Sequence, residues 1–413
     1  MSIAEPIAII GLSCRMPQAE DPEALWHLLR EGKDVVSQPP SEDDSVRRMG
    51  GVGEFDSEFF GISPREAAAM DPQQRLALEL SWECMEDAGV VPGVDARMPI
   101  GVFLGATGDY ADSVDLDSVS RHTLTGVSRG VIANRVSYAL ALGGPSLTVD
   151  TAQSSSLVAV HLACNSLLCG ESMLALTGGV NVNVSRMSIR SAVEFGALSP
   201  DARCYTFDAR ANGYVIGNGG GVIALKRLSQ AVGDGDRVHA VIRGSAVNNG
   251  GRGDALTVPS QPAQESVIQA ALERSGVDGA DVQYVELHGA GTPVGDPVEA
   301  AALGATMGCR RTDDPLFVGS IKTNVGHLEG AAGVAGLIKT ALCVKQGELV
   351  PSLNFSEPNP QIPLEELGLQ VVRNRGVWRS ARGSRIAGVS SFGVGGTNAH
   401  VIVEEAPAAE EAV

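Results

Sequence analysis

One stretch of the sequence, residues 146–161, constrains the fold more than any other. Ser146–Val149 is predicted to be a short buried strand, which runs into a sharp turn at Asp150-Thr151-Ala152. A helix is predicted to begin near Gln153 and to run towards Gly170. Its residues are so small that we expect it to pack closely on all sides.

Gln153 is predicted to lie in the first turn of that helix. Unpaired backbone N–H groups and the positive end of the helix dipole collect there. An acyl-transfer enzyme places a nucleophile and an oxyanion hole at such a turn. Glutamine is not a nucleophile, so the turn resembles an acyl-transfer site that lacks its reactive side chain.

The composition indicates a soluble protein with a hydrophobic core. The 413 residues are 44% hydrophobic and 19% charged, and 50 are glycine, which indicates tight turns and close packing. A net charge of −18 argues against nucleic-acid binding. No apolar run is long enough to span a membrane, and residues 1–6 are not a signal peptide. Seven irregularly spaced cysteines indicate a reducing, cytoplasmic location.

Strands and helices alternate along the chain, which predicts an α/β fold with mainly parallel sheets. Two small-residue helices, predicted near residues 153–170 and 326–346, each follow a strand. This recurrence predicts a duplicated fold in which two sheets enclose the two helices. We predict an N-terminal half at residues 1–240, a C-terminal half at 241–404 and the start of a linker at 405–413.

Three polar side chains of the second half follow predicted strands beside glycines. His288 begins His-Gly-Ala-Gly-Thr, and Lys322 and His327 belong to Lys-Thr-Asn-Val-Gly-His. Strand-end loops are where α/β folds collect ligand sites. Two neutral imidazoles there could donate hydrogen bonds to one thioester oxygen as it becomes an enolate. Each histidine alone could equally be a core residue, but with the Gln153 turn they predict an active site.

Three other motifs suggest different chemistry but lack the context that it requires. The glycine-rich residues 217–221 precede a strand instead of opening a helix, which argues against a dinucleotide site. His161, Cys164 and Cys169 lack a second pair of ligands, so core packing is the better interpretation and no metal site is predicted. The serines at 154–156 lack the Gly-x-Ser-x-Gly elbow of a hydrolase.

The sequence resembles the ketosynthase family of modular polyketide synthases over nearly its whole length. The matching motifs are Glu5-Pro-Ile-Ala-Ile-Ile-Gly11, Asp71-Pro-Gln-Gln-Arg75, Val149-Asp-Thr-Ala-Gln-Ser-Ser-Ser156, His288-Gly-Ala-Gly-Thr292, Gly295-Asp-Pro-Val-Glu-Ala300, Lys322-Thr-Asn-Val-Gly-His327 and Gly396-Thr-Asn-Ala-His400. The resemblance implies a thiolase-like five-layer αβαβα sandwich and a homodimer. It also implies substrates carried on the phosphopantetheine of an acyl carrier protein, no directly bound cofactor, and an adjacent acyltransferase domain in the full-length synthase.

Condensing members of that family carry a cysteine at the position of Gln153. This chain therefore resembles the loading-module variant, a ketosynthase-like decarboxylase. The resemblance implies that malonyl- or methylmalonyl-carrier protein loses CO₂, that His288 and His327 hold the enolate, and that protonation gives an acetyl or propionyl starter. Without a thiol no acyl-enzyme forms. We expect the Gln153 amide to occupy the place of the acylated cysteine and to hydrogen-bond the substrate.

The same resemblance implies roles for five further residues. Lys322 is expected to orient the site with support from Glu329, and Phe392 to line the acyl pocket. Thr292 and Val258 are expected to bind the substrate or to shape its pocket.

Five features differ from the family pattern or bear on its partners. Ala290 replaces the first threonine of the usual His-Gly-Thr-Gly-Thr, which removes one hydroxyl near the site, and Gly395 replaces a common serine. The surface loop at residues 36–53 is shorter than usual. The start at Met1 without a docking helix suits a loading module. A basic run is either a solvated loop or a docking patch for the carrier, and it comprises Arg373, Arg375, Arg379, Arg382 and Arg385.

Two alternatives remain open at this point. The chain could be a condensing ketosynthase whose cysteine was changed to glutamine to trap substrates, although Ala290 favours a natural variant. It could also be a non-catalytic partner like the chain-length-factor subunits of type II systems. Retention of His288, His327 and Lys322 argues against that second alternative.

Overall fold

The computed structural model describes residues 5–36, 54–93, 99–108, 110–308, 311, 314–380 and 383–407. Of the loop predicted at 36–53, residues 37–53 lie outside the described residues. Of the linker predicted at 405–413, residues 408–413 lie outside them. The strands are β1 (Ile7–Arg15), β2 (Ile100–Ala106), β3 (Ser146–Val149), β4 (Leu174–Asn181), β5 (Gly219–Arg227), β6 (Ala240–Asn249), β7 (Tyr284–Glu286), β8 (Leu316–Gly319), β9 (Glu348–Leu349), β10 (Leu369–Val371), β11 (Gly376–Val377), β12 (Ile386–Phe392) and β13 (Thr397–Glu405). The helices are α1 (Pro22–Arg30), α2 (Pro64–Ala69), α3 (Pro72–Asp87), α4 (Thr123–Val127), α5 (Val131–Ala139), α6 (Ser155–Cys169), α7 (Arg186–Glu194), α8 (Leu228–Asp234), α9 (Gln261–Ser275), α10 (Gly295–Leu303), α11 (Lys322–Val325) and α12 (Ala332–Gln346).

The main sheet repeats one strand pattern twice. Its order is β10-β8-β7-β12-β13-β6-β1-β5-β4-β2-β3, and β9 pairs with β11 separately. In the first half of the sheet, β1 pairs with β5 and β5 pairs with β4, both antiparallel. Strand β4 then pairs with β2 and β2 pairs with β3, both parallel. In the second half, β6 pairs with β13 and β13 pairs with β12, both antiparallel. Strand β12 then pairs with β7 and β7 pairs with β8, both parallel. The two patterns meet where β1 pairs with β6 over three residues. The boundary at residue 240 stays a prediction.

Helices α6 and α12 lie between the two strand patterns and contact each other. Helix α6 packs on β2 and β4 of the first pattern and on β13 of the second, while α12 packs on β12 and β13 and also on β5. Small residues allow this close approach. A Cβ on Gly333 of α12 would lie only 2.7 Å from the Cβ of Leu157 on α6. The largest cluster of buried apolar side chains includes residues of both helices.

The structure differs from the sequence prediction at three places around these helices. Strand β3 is not buried, because it is the edge of the sheet, and its Leu147 is 48% exposed. Helix α6 begins at Ser155, so Gln153 precedes its first turn, and Leu162 and Leu168 on one face are exposed. Helix α12 begins at Ala332 rather than at residue 326, after a single 3₁₀ turn.

Candidate active site

The turn before α6 holds Gln153 through its neighbours' side chains. Ala152 has a φ of 55°, in the left-handed region that residues with a side chain rarely adopt. The Ala152 N–H donates to Asp150 Oδ1 at 3.1 Å, and the Thr151 N–H donates to Ser155 Oγ at 2.9 Å. Ser391 Oγ, at the end of β12, donates to the carbonyl oxygen of Gln153 at 2.8 Å. The turn is therefore tied both to its own helix and to the second half of the sheet.

Both ends of the Gln153 amide are hydrogen-bonded. Its Oε1 accepts from the Val394 N–H at 3.0 Å, and its Nε2 donates to Glu329 Oε2 at 2.9 Å. The N–H can only donate and an ionised carboxylate can only accept, so the two contacts favour the same amide orientation. Among the described residues no partner is found for the second Nε2–H, which leaves it free for a ligand.

His288 lies just beyond the end of β7, where two backbone N–H groups anchor it. The N–H groups of His288 and Gly289 donate to the two carboxylate oxygens of Glu299 at 2.7 and 2.8 Å. The Phe392 N–H donates to His288 Nδ1 at 3.3 Å. A ring nitrogen that accepts carries no proton, so the neutral imidazole carries its proton on Nε2.

His327 reaches the same site from the loop after α11 with the same tautomer. The N–H of Glu329 donates to His327 Nδ1 at 3.0 Å, which leaves Nε2 protonated. The centroids of the His327 and His288 rings are 5.4 Å apart, and the rings meet edge to face. The Tyr214 ring packs on His327 at a centroid distance of 4.7 Å. The structure thus brings two Nε2–H donors together.

Both histidines are neutral because of their surroundings. Burial holds the pKa of His288 and of His327 well below the usual 6.5, and the charge of Lys322 lowers both further. Lys322 is itself 3% exposed, and burial lowers its pKa against the opposing effect of Glu286 and Glu299. Lys322 therefore acts on the two imidazoles by its charge.

Sequence reasoning assigned no role to two buried acids of α10. Asp296 and Glu299 are three positions apart and so lie on one face of the helix. Asp296 accepts from the N–H groups of Phe207 and Gly291 at 2.8 and 3.1 Å. Burial raises the pKa of Asp296 to about 7 and that of Glu299 to about 8. Both acids belong to the Gly-Asp-Pro-Val-Glu-Ala motif, which was the sequence signal from which their place in the site could have been predicted.

A cavity of about 870 Å³ opens in front of these groups. It is lined by Gln153, His288, His327, Glu329, Phe392 and Thr292. Val258, 43% exposed, also lines the cavity. Lys322 is not among the lining residues, so it stands behind the site. Ala290 is 6% exposed and lines the cavity beside Tyr214, a residue that sequence reasoning missed.

Other sequence expectations concern features outside the cavity. Within the described ranges, no group of three His, Cys, Asp or Glu side chains could hold a metal ion. No helix in that part of the chain is long and apolar enough to cross a membrane. In the basic run, Arg375 pairs with Glu348 at 3.1 Å and Arg385 pairs with Glu405, while Arg382 lies outside the described residues. Carrier docking there stays a prediction.

Comparisons with known proteins match the whole chain. The family model "Beta-ketoacyl synthase, N-terminal domain" matches residues 4–231, its C-terminal counterpart matches 239–356, and the "Ketoacyl-synthetase C-terminal extension" matches 358–412. Polyketide synthase GfsA of Streptomyces halstedii is 56% identical over 98% of this chain and 6% of its own length. Erythronolide synthase EryA3 of Saccharopolyspora erythraea is 48% identical over 98% of this chain and 13% of its own. The chain therefore spans a small part of these relatives.

Solved structures show the same fold. The oxazolomycin ketosynthase domain OzmH KS7 of Streptomyces albus JA3453 has a TM-score of 0.92 and 38% identity, over 99% of this chain and 76% of that one. The ketosynthase from module 6 of the bacillaene synthase of Bacillus subtilis 168 has a TM-score of 0.89 and 38% identity, over 97% and 72%. The predicted thiolase-like α/β fold is confirmed.

Proposed function

The chain belongs to the ketosynthase domains of modular polyketide synthases, and on that premise we propose that it is the decarboxylating domain of a loading module. It takes a malonyl or methylmalonyl thioester on the phosphopantetheine of an acyl carrier protein and yields the acetyl or propionyl starter. The observation that carries this proposal is Gln153. Its hydrogen-bonded amide faces the same cavity as two neutral imidazoles with free Nε2–H groups.

The two histidines supply the stabilisation that CO₂ loss requires. As the bond from Cα to the carboxylate breaks, its electron pair moves through Cα to the thioester oxygen, and CO₂ leaves. The Nε2–H groups of His288 and His327 then donate to the enolate oxygen. Removal of one preorganised donor of this kind costs about 10²–10³ in rate. A proton added at Cα restores the thioester.

The arrangement at Gln153 disfavours covalent condensation. An amide nitrogen is not a nucleophile at neutral pH, so no acyl group is transferred to the protein. The Val394 N–H, which points at the turn, is already engaged by Gln153 Oε1 at 3.0 Å. The second Nε2–H of Gln153 remains to orient the carboxylate or the carbonyl of the substrate. The starter therefore stays on the carrier.

Further residues shape the cavity around this chemistry. Phe392 is 8% exposed and its ring lies 5.7 Å from that of His288, where it limits the space beside the thioester. Thr292 Oγ1 accepts from the Gly295 N–H at 3.1 Å and caps the start of α10. Val258 stands at an exposed part of the lining, where the pantetheine arm would enter. Burial keeps both imidazoles neutral, and the charge of Lys322 adds to that effect.

The proposal extends to the assembly of the protein. Strand β3 ends the sheet with an unpaired edge among the described residues, and its Leu147 is 48% exposed. Such an edge suits strand pairing with a second copy, and we propose a homodimer. We also propose an adjacent acyltransferase domain in the full-length synthase and a cytoplasmic location. A division into halves at residues 1–240 and 241–404, with a linker starting at 405, is proposed as well.

A carrier-mass assay tests the proposal. The protein is incubated with malonyl- and methylmalonyl-loaded carrier protein, and the mass of the carrier is followed over time. We expect a loss equal to one CO₂ that disappears in H288A and H327A. An unchanged carrier with both substrates would contradict the decarboxylase. Capture of a longer acyl chain in the cavity would then favour the trapping variant of a condensing enzyme.

A further inference from the structure

Glu329 interacts with three groups of the active site. Its carboxylate accepts from Gln153 Nε2 at 2.9 Å, and the Tyr214 phenol lies close enough to lower the pKa of that carboxyl. Its backbone N–H donates to His327 Nδ1 at 3.0 Å. We propose that Glu329 is a positioning residue, whose carboxylate fixes the Gln153 amide so that one Nε2–H points at the acyl substrate.

The orientation of the amide depends on what faces it. If the Gln153 amide were flipped, its Oε1 would face the Glu329 carboxylate and its Nε2–H would face the Val394 N–H. Both contacts would then be repulsive, since a carboxylate has no hydrogen to donate and a backbone N–H has no lone pair to offer. Val394 holds one end of the amide and Glu329 holds the other, so the remaining Nε2–H has a single direction.

The backbone at Glu329 indicates that this placement is costly. Its φ is 41°, in the left-handed region, at the single 3₁₀ turn that separates His327 from α12. A non-glycine residue pays about 1–3 kcal/mol for such a conformation, and these residues cluster where a site imposes them. Here the conformation allows the backbone N–H to meet His327 while the side chain reaches Gln153.

Tyr214 lies beside the Glu329 carboxylate. Its ring is packed on His327 at 4.7 Å and is 9% exposed, so its hydroxyl has little freedom to move. Burial raises the pKa of Glu329, and the Gln153 amide and the Tyr214 phenol oppose that rise. The hydrogen bond between Gln153 and the Glu329 carboxylate is therefore the support for the amide, and the bond from the Glu329 backbone to His327 is independent of the side chain.

The inference rests on the proposed decarboxylase, and a double-mutant cycle tests it. Single variants E329L and E329Q, the variant Q153A, and the double variants are compared in CO₂ release, with kcat and KM determined separately. We expect E329L to lose roughly 10- to 100-fold in kcat, as for one hydrogen bond to a charged group. E329Q, which keeps an acceptor oxygen, should recover part of that loss. E273Q, the same change on the exposed face of α9, is the matched control.

The Q153A background distinguishes positioning from a direct role. If Glu329 acts through Gln153, E329L should cost nothing further once Gln153 is absent. An equal loss in both backgrounds would overturn the proposal, because Glu329 would then act on the substrate itself or on folding alone. The unmodified protein, E329L, Q153A and the E329L/Q153A double variant are also unfolded in urea. If the shifts in the denaturation midpoint of the two single variants add up in the double variant, Gln153 and Glu329 do not interact and the proposal is overturned. This measurement remains decisive even if the unmodified protein releases no CO₂, a result that would contradict the decarboxylase.

Discussion

The replacement of His327 by alanine tests the enolate donors most directly. His327 lines the cavity, and its Nδ1 is engaged by the Glu329 N–H, which leaves Nε2–H as the donor of the ring. The alanine variant removes that donor while His288 remains. We expect CO₂ release to fall by about 10²–10³, equivalent to about 2.7–4 kcal/mol of lost transition-state stabilisation.

The same change also costs stability, which the assay must separate from catalysis. His327 is 1% exposed, and its loss leaves the Glu329 N–H without its acceptor, a penalty of about 1–3 kcal/mol. His400 provides a matched control. It is fully buried, Ser390 Oγ lies 3.0 Å from its Nδ1, burial lowers its pKa to about 3, and it does not line the cavity. H400A should lose comparable stability and keep its rate per folded molecule.

The comparison is made under single-turnover conditions with loaded carrier protein. The folded fraction of each variant is measured by circular dichroism in the same buffer, and the rate is divided by it. A fall in H327A of less than about tenfold, or an equal fall in H400A, would refute the assignment of His327 as an enolate donor.

Three further outcomes follow from the structure. Because the pKa values of His288 and His327 lie well below 6.5, both imidazoles should stay neutral through the usual histidine range, where Asp296 and Glu299 titrate at about 7 and 8. They should gain a proton only in stronger acid, where a proton on Nδ1 would oppose the backbone N–H donors, and an imidazole midpoint near 6.5 in an NMR titration would contradict this. K339M should lower the free energy of unfolding in urea by about 3–5 kcal/mol, because the buried Glu286 carboxylate loses the Lys339 ammonium that lies 2.7 Å from it. The double variant K339M/E286Q should regain part of that free energy. G105A should lose both CO₂ release and about 1–3 kcal/mol of stability, because the new Cβ would clash with the backbone at the first turn of α6, and an unchanged rate would show that this turn can shift freely.

Elements with local signals could be predicted from the sequence almost to the residue. Helix α9, Gln261–Ser275, carries local signals at both of its ends. Its start is marked by the N-cap Ser260 followed by a proline, and its end by Gly276 with a φ of 66°. All of these signals lie within the helix or beside it, so no tertiary contact was required to find its ends.

Elements whose limits depend on distant contacts were predicted less well. Strand β3 was predicted to be buried, yet its burial depends on its place at the edge of the sheet, which no local pattern encodes. The start of α12 was placed six residues early, because small residues continue through 326–331 while the backbone turns at Glu329. The position of that turn is set by contacts of Glu329 with His327 and Gln153, which helix propensity does not predict.

The candidate site shows the same division. Gln153, His288 and His327 were selected because each stands beside a strand end with glycines or a turn, and the structure places all three on one cavity. The partner of Gln153 was not predicted, since Glu329 is 176 positions away in the chain. Tyr214 gave no signal either, because its part in the site depends on packing against His327.

The neutrality of the two imidazoles connects the electrostatics to the proposed reaction. A malonyl thioester enters with a negative carboxylate, and an imidazolium would attract that ground state as strongly as the enolate that follows. Neutral Nε2–H donors gain most when charge develops on the thioester oxygen, so they stabilise the transition state more than the bound substrate. Burial of the two rings makes this possible, and Lys322 lowers both histidine pKa values further from behind the cavity, outside the lining that a substrate touches. A cation placed in the lining would instead hold the carboxylate and oppose its loss.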